Sequence, residues 1–290
     1  MSFSGDVKAE LSKRVSGAKH CQMAELAAIL HLCGQYGYDG TGEITIGFQT
    51  ENEACVKKGF TLLKKTFNID WGCPIKEEDL RKIIHHIGPL NEPAKEELLQ
   101  RTCCKRAYLR GAFLSVGSMS DPEKSYHLEF NCDSKAKAEQ LQQLMKAFEI
   151  DSKIILRKKN YVLYIKEGSC IVELLSVCEA PVSLMNMENS RILKEMRNSV
   201  NRRVNCETAN IAKTVGAASR QISDIRLLKE RYGFQNLPMP LREMAQIRLD
   251  HPDAPLKELG DYFDPPIGKS GVNHRLRKLS ELAENIKLQK

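Results

Sequence analysis

Near the C-terminal end, Ser270, Asn273, His274 and Arg277 recur at steps of three, one and three, which puts all four on one face of a helix. The other face would carry Val272, Leu276 and Leu279, an apolar stripe at steps of four and three. Hydroxyl, carboxamide, imidazole and guanidinium groups offered together from a helix can reach base edges or phosphates in a DNA major groove. Lys269, Arg275 and Lys278 flank that face and are of the type that contacts phosphate. Farther upstream, Arg191, Lys194 and Arg197 stand three apart and are followed by Arg202 and Arg203. That run fits a phosphate-contacting stripe and a solvated helix face equally well.

Other groupings that tempt a chemical reading fail on spacing. Gly268-Lys269-Ser270 would need a further Gly five positions earlier for a phosphate loop, and Phe263 stands there. His85-His86 and Cys103-Cys104 are adjacent pairs whose side chains should diverge on a helix. His31 and Cys33, two apart on a helix, fail in the same way. No two of the ten cysteines have the C-x-x-C spacing, so free thiols of a cytoplasmic protein are expected. The expectation is a chain with no catalytic residue, no metal, no cofactor and no small-molecule substrate.

The elements that must position the basic face can be read from periodicity. Leu237-Pro238-Met239-Pro240 punctuates the chain, and three short helices should follow: Leu241 to Leu249, one starting near Pro255, and one from about Ser270 to Ile286. The second would pack Leu256, Leu259 and Phe263 inward, and the second and third together form a helix-turn-helix. Residues 184–236 have no Pro before 237 and no Gly until Gly216, which predicts a helical connector. Residues 1–183 look duplicated, with halves at about 20–90 and 103–180. Leu26-Ala27-Ala28-Ile29-Leu30-His31-Leu32-Cys33-Gly34 and Leu109-Arg110-Gly111-Ala112-Phe113-Leu114-Ser115-Val116-Gly117 are apolar helices with a small residue third and a closing Gly, read as a left-handed C-cap. Each precedes an alternating strand, 43–49 or 125–131, and then an amphipathic helix, 51–67 or 133–148. The second half adds a hairpin, 154–156 with 161–165, and a helix, 169–178. The first erodes at Trp71-Gly72-Cys73-Pro74, leaving a helix from Leu80 to Ile87. The sum is an α+β front domain of two αββα-like halves, a helical connector and an all-α C-terminal domain at 237–290.

Charge divides in the same way. Residues 1–188 hold 25 basic and 25 acidic side chains, whereas 189–290 hold 19 and 12, so the whole formal charge of +7 sits in the last third. A basic excess confined to one segment is the footprint of an anionic partner, and duplex DNA fits it best. No apolar run approaches a membrane span, and Met1 to Leu11, with Asp6 and Glu10, does not predict a signal peptide.

The two nine-residue stretches resemble the LAGLIDADG motif of homing endonucleases, whose eighth position holds a metal-binding carboxylate. Here that position is Cys33 in one copy and Val116 in the other, and hard cations need oxygen ligands. The resemblance therefore implies a scaffold retained without its chemistry. Asp39 and Asp121 lie a few residues beyond the two helices, so a metal-dependent endonuclease with relocated acids is the alternative. The outward face of the strands, with Glu43, Thr45 and Gln49 or Ser125, His127 and Glu129, offers little to phosphate, and its partner stays open between protein and DNA.

Longer stretches resemble the WhiA family of DNA-binding regulators: Ser2-Phe3-Ser4 through Leu11, 108–113, Asn201-Arg202-Arg203-Val204-Asn205-Cys206-Glu207-Thr208-Ala209-Asn210, and 264–275. That resemblance implies a degenerate homing-endonuclease fold in front and a helix-turn-helix like the promoter-reading region of sigma factors behind. It further implies a non-enzymatic transcriptional regulator of cell division, chromosome segregation and sporulation. Such a protein would be cytoplasmic and nucleoid-associated, binding promoter DNA in cooperation with RNA polymerase. A scaffold of the division machinery that never touches DNA is the remaining alternative.

Overall fold

The computed structural model describes residues 2–38, 43–70 and 73–288 and separates into two compact units, Met1–Glu195 and Met196–Lys290. The front unit opens with α1 (Phe3–Lys13), whose first turn is capped by the Ser2 hydroxyl accepting from Gly5 N–H at 3.2 Å. The first repeat then runs α2 (Lys19–Cys33), β1 (Gly34–Tyr38), β2 (Ile44–Phe48), α3 (Glu53–Phe67) and α4 (Glu77–Ile87). The second runs α5 (Thr102–Val116), β3 (Gly117–Met119), β4 (Leu128–Cys132), α6 (Lys135–Lys146), β5 (Lys153–Arg157), β6 (Asn160–Ile165) and α7 (Gly168–Val177). It is completed by an antiparallel sheet in the order β3-β4-β6-β5, whereas the first repeat keeps only the β1-β2 pair and one bridge, Ile44 to Ile75. The expected loss of the late strands of the first half is borne out among the described residues. Trp71 and Gly72, and Asp39 of the alternative nuclease reading, lie outside them.

Three sequence expectations need correction. Gly34 and Gly117 are not left-handed caps: both have extended backbones, with φ near −78° and −74°. Each helix turns directly into a strand. A side chain at Gly34 would sit 2.5 Å from the Leu30 carbonyl oxygen, and one at Gly117 would sit 2.7 Å from that of Phe113. Close approach, not handedness, demands glycine here. That direct exit also creates β1 and β3, five and three residues long, whose starts no turn residue marks. Finally, the second strand starts at Leu128, not Ser125, because the Asp121 carbonyl accepts from both Lys124 and Ser125 N–H and folds that stretch into a turn.

The core of the front unit is the seam between α2 and α5. Leu26 through His31 and Ala107 through Ser115 are buried. Gly111 is what lets the helices meet: a Cβ there would lie 2.5 Å from the Glu25 carbonyl oxygen and 2.9 Å from the Ala28 methyl. Gly111→Val should therefore overpack the seam and destabilise the front unit by at least about 1–3 kcal/mol, measured by urea unfolding of the full chain.

The seam also encloses charge. The Glu25 carboxylate accepts from Arg110 Nε at 3.1 Å and Arg110 Nη2 at 3.0 Å, and Lys58 Nζ stands 3.0 Å from its Oε1. Arg110 continues to Glu179 at 2.7 Å, where Arg14 joins it. Lys58 donates its remaining bonds to the carbonyls of Leu11 and Arg14, tying α1 to α3.

Of the second unit, α8 (Pro181–Arg231) contributes residues from Met196 onward, followed by α9 (Met239–Asp250), α10 (Leu256–Asp261) and α11 (Lys269–Leu288). Its core joins Ile225 and Leu228 to Leu241, Met244, Leu259, Phe263, Val272, Leu276 and Leu279. The three short helices expected after Leu237 are all present. Pro255 stands just before α10 as its N-cap.

Candidate nucleic-acid interface

The turn between α10 and α11 is set by Gly260. Its carbonyl accepts from Ile267 N–H at 3.0 Å, and a Cβ at Gly260 would fall 2.1 Å from the Ile267 carbonyl oxygen, so only glycine lets the loop fold back over the end of α10. Phe263 plugs the corner, and the Arg275 guanidinium lies 4.7 Å above its ring. Val272, Leu276 and Leu279, all at most 1% exposed, clamp α11 onto the core. The register is thereby fixed. Ser270, Asn273, His274 and Arg277 are exposed on the outer side, as are Lys269 and Lys278.

Not all of these side chains are equivalent. Arg277 Nε donates to Glu281 at 3.0 Å in an exposed pair one turn apart, an interaction worth only a few tenths of a kcal/mol that a base or phosphate can readily replace. Arg275 is half-buried on Phe263 and serves packing as well as charge. Arg202 and Arg203 are exposed on α8, with Arg202 Nε donating to the Asn198 carbonyl. Arg203 stands ten residues, about 15 Å, before Lys213 along the helix. In the front unit, Arg191 pairs with Glu188 at 2.9 Å and Lys194 lies 4.5 Å over the Tyr126 ring, so part of the upstream basic run is already engaged.

Packing adds residues that spacing could not reveal. A cleft of about 360 Å³ is lined by Lys213 and Gln221 of α8, Arg248 of α9, Lys257 of α10, and Lys269 and Asn273 of α11. Lys213 and Lys257 are exposed and share this cleft with Lys269, so three ammonium groups ring the entry to α11. At its wall, Arg248 is 2% exposed; Nη1 donates to the Ala254 carbonyl at 2.6 Å while Nε has no partner. Burial pulls the Arg248 pKa down, with Asp253 opposing. Lys213 precedes Lys269 by 56 residues, and no local pattern links them.

The front unit holds the other positions weighed for chemistry. The Cys33 thiol is buried and points to the Ile29 carbonyl at 3.3 Å, and Val116 is half-buried. Asp121 caps a turn, its Oδ1 accepting from Glu123 N–H at 2.9 Å. His85 and His86 do not diverge as their adjacency suggested: their rings meet edge to face with centroids 5.4 Å apart, and His86 Nδ1 lies 2.8 Å from the Lys82 carbonyl. Cys103 and Cys104 overturn the expectation that they diverge: their sulfurs, His20 Nδ1 and Cys21 Sγ all lie within 4.8 Å of one another. Spacing on one helix misjudged them because a second helix supplies the other two groups. The outward face of the second sheet is also more cationic than its strand β4 suggested. Arg157, Lys158 and Lys159 of the β5-β6 hairpin share a surface cleft with Glu129 and Asn131, and Arg157 stands 3.5 Å from Glu129.

A duplicated LAGLIDADG-like scaffold joined to a helical unit with a helix-turn-helix is the class that fold and site define. Family models agree segment by segment: a WhiA N-terminal LAGLIDADG-like domain matches residues 19–102, a WhiA LAGLIDADG-like domain 105–197, and a WhiA C-terminal HTH domain 200–283. The chain belongs to the WhiA family. It is 48% identical to a probable cell division protein WhiA of Lachnoclostridium phytofermentans, over 99% of this chain and all of that one. The protein of the same name from Alkaliphilus oremlandii is 46% identical, over 99% and 98%. Among solved structures, full-length DUF199/WhiA from Thermatoga maritima is similar with a TM-score of 0.57 at 26% identity, covering 98% of this chain and 99% of that one. No helix among the described residues is long and apolar enough to cross a membrane.

Proposed function

We propose that this chain is a non-enzymatic, sequence-specific DNA-binding transcriptional regulator that reads duplex DNA with α11. The observation that carries the reading is the exposed Ser270, Asn273, His274 and Arg277 face, held in register by a buried stripe and bordered by Lys213, Lys257 and Lys269. Side chains on the outer face of the second helix of such a pair suit base edges, and the surrounding ammonium groups suit phosphates. Lys278, Arg275, Arg202 and Arg203 extend the cationic border. The name carried by the relatives supports a role in cell division. The family resemblance extends the proposal to chromosome segregation and sporulation, to promoter DNA met together with RNA polymerase and its sigma factor, and to a cytoplasmic, nucleoid-associated place of action.

Chromatin mapping of the tagged protein supplies its sites, and duplex affinity of the full chain on those sites tests the assignment. Asn273→Ala or Arg277→Ala should each weaken specific binding by about 1–3 kcal/mol, the usual worth of a base contact. Replacing Lys213, Lys257 and Lys269 by Ala should weaken all duplexes alike and flatten the salt dependence by about 0.9 in log–log slope for each phosphate no longer neutralised. A salt-independent affinity would end the proposal. Plasmid scission in magnesium that disappears in Asp39→Ala would replace it by the nuclease reading, and an intact division phenotype in Arg277→Ala cells by the scaffold reading.

A further inference from the structure

We propose that His20, Cys21, Cys103 and Cys104 form a tetrahedral Cys3His site for a zinc ion that clips together the N-terminal ends of α2 and α5. The ligand atoms are already gathered. His20 Nδ1 stands 3.2 Å from Cys104 Sγ, 3.3 Å from Cys21 Sγ and 3.9 Å from Cys103 Sγ, and no pair among the four atoms exceeds 4.8 Å. Bonds of about 2.3 Å to sulfur and 2.0–2.1 Å to nitrogen place tetrahedral ligand atoms about 3.5–3.8 Å apart, so small side-chain rotations suffice to enclose one ion. A multi-iron cluster needs a wider cage than this.

The three sulfurs lie where two helices begin. Cys21 is the third residue of α2, and Cys103 and Cys104 are the second and third of α5, so two helix N-termini face one point. Neither helix has a side-chain N-cap, its cap positions being Ala18 and Arg101, and neither carries an acidic residue in its first turn. Negative charge on the sulfurs would complete both ends. Without a cation the same crowding works against ionisation: burial and the neighbouring sulfurs push the Cys104 thiol up to about 12. A soft divalent cation resolves that conflict, since binding of Zn²⁺ displaces one proton from each of the three thiols to solvent while neutral His20 donates through Nδ1. Cys21 and Cys104 are buried with Ala24 and Ala107 in a small cluster of their own, which shields the bonds from exchange, while His20 and Cys103 sit at the surface and open an entry path.

Location argues for a structural clip. Cys21 and Cys33 are twelve residues, about 18 Å, apart along α2, so this site lies at the opposite end of the seam from the positions where the homing-endonuclease pattern keeps its acids. Gly111 closes the middle of the same seam, and the clip would hold its other end.

The test loads the full-length, reduced protein with zinc, removes free metal and measures metal content together with thiol reactivity. About one zinc per chain is expected, with the three site thiols protected from a thiol reagent until a chelator is added. Cobalt substitution of the same wild-type protein should give the intense visible bands of a tetrahedral thiolate site, a readout that needs no variant to fold. Cys103→Ser with Cys104→Ser, or His20→Ala, should cut retained zinc to below about a tenth of the wild-type value. Wild-type protein that retains no zinc after loading would overturn the site, as would retention unchanged in the double variant, or a disulfide between Cys21 and Cys103 or Cys104 in the protein freshly isolated from cells.

Discussion

Glu25→Ala is expected to cost the front unit about 3–5 kcal/mol, the usual penalty for removing one partner of a buried ion cluster. Among the described residues, Glu25, 0% exposed, is the carboxylate that pairs with Lys58, itself 2% exposed; without it Arg110, also 2% exposed, keeps just Glu179. Loss of the carboxylate would strand a guanidinium and an ammonium between α2, α3 and α5. Burial already pulls the Lys58 pKa down while Glu25 pulls it up, so in the variant burial would act with less opposition. Chemical denaturation near neutral pH checks the magnitude. Converting Glu25, Lys58 and Arg110 together to apolar residues of similar volume should recover most of the loss, because the whole cluster gains little over a well-packed apolar substitute. A loss below about 1 kcal/mol for Glu25→Ala would show that the three charges stay solvated. Duplex affinity of Glu25→Ala, measured well below its melting temperature, should match the wild type if α11 is the reader.

Acid should destabilise the front unit through His31, and the effect should reach about 3 kcal/mol. His31 is 2% exposed and neither ring nitrogen has a hydrogen-bond partner. Burial, and then the Lys137 ammonium, push its pKa down to about 4 from an ordinary 6.5, with only the Gly88 backbone opposing. The Lys137 ammonium is held in place by the His31 carbonyl at 2.6 Å and by Asp133 at 2.9 Å. The folded state therefore binds this proton more weakly than the unfolded chain does. Well above pH 6.5 both are neutral and protonation of His31 contributes nothing to the stability difference. Between pH 6.5 and 4 the unfolded chain protonates first and stability falls; below 4 the full penalty applies. His31→Leu should flatten that part of the stability profile, leaving the carboxylates to govern what remains. An unchanged slope between pH 6.5 and 4 in the variant would place the proton elsewhere. At neutral pH this histidine is an uncharged core side chain of the first seam helix.

Much of the molecule was legible because its signals are local. Alternation over Ile44–Phe48 and the three-and-four spacing over Glu53–Phe67 and Lys135–Lys146 report burial on one face, and those elements stand within two residues of where periodicity puts them. Val272, Leu276 and Leu279 determine which side of α11 faces out, so the exposed positions of Asn273, His274 and Arg277 could be assigned from spacing alone. The strands β1 and β3 escaped because each begins directly where a helix ends, with no turn residues to mark a start, and they run for only five and three residues. The glycines at 34 and 117 were noticed for the wrong reason, since the pattern of a closing Gly is the same whether it meets a positive φ or a nearby carbonyl.

By itself, then, the chain's residue order determined a duplicated α+β front, a basic all-α end, the replacement of two motif acids by Cys33 and Val116, and the outward face of α11. Tertiary structure decided what depends on convergence: Glu25 with Lys58 and Arg110, Lys213 and Lys257 beside Lys269, and His20 and Cys21 against Cys103 and Cys104. The reason is one of range. Periodicity records how each helix or strand divides its own faces between core and solvent, whereas a site built from residues tens of positions apart exists only once two elements pack at a definite crossing and depth. At the α2-α5 seam that depth is set by the absence of a side chain at Gly111.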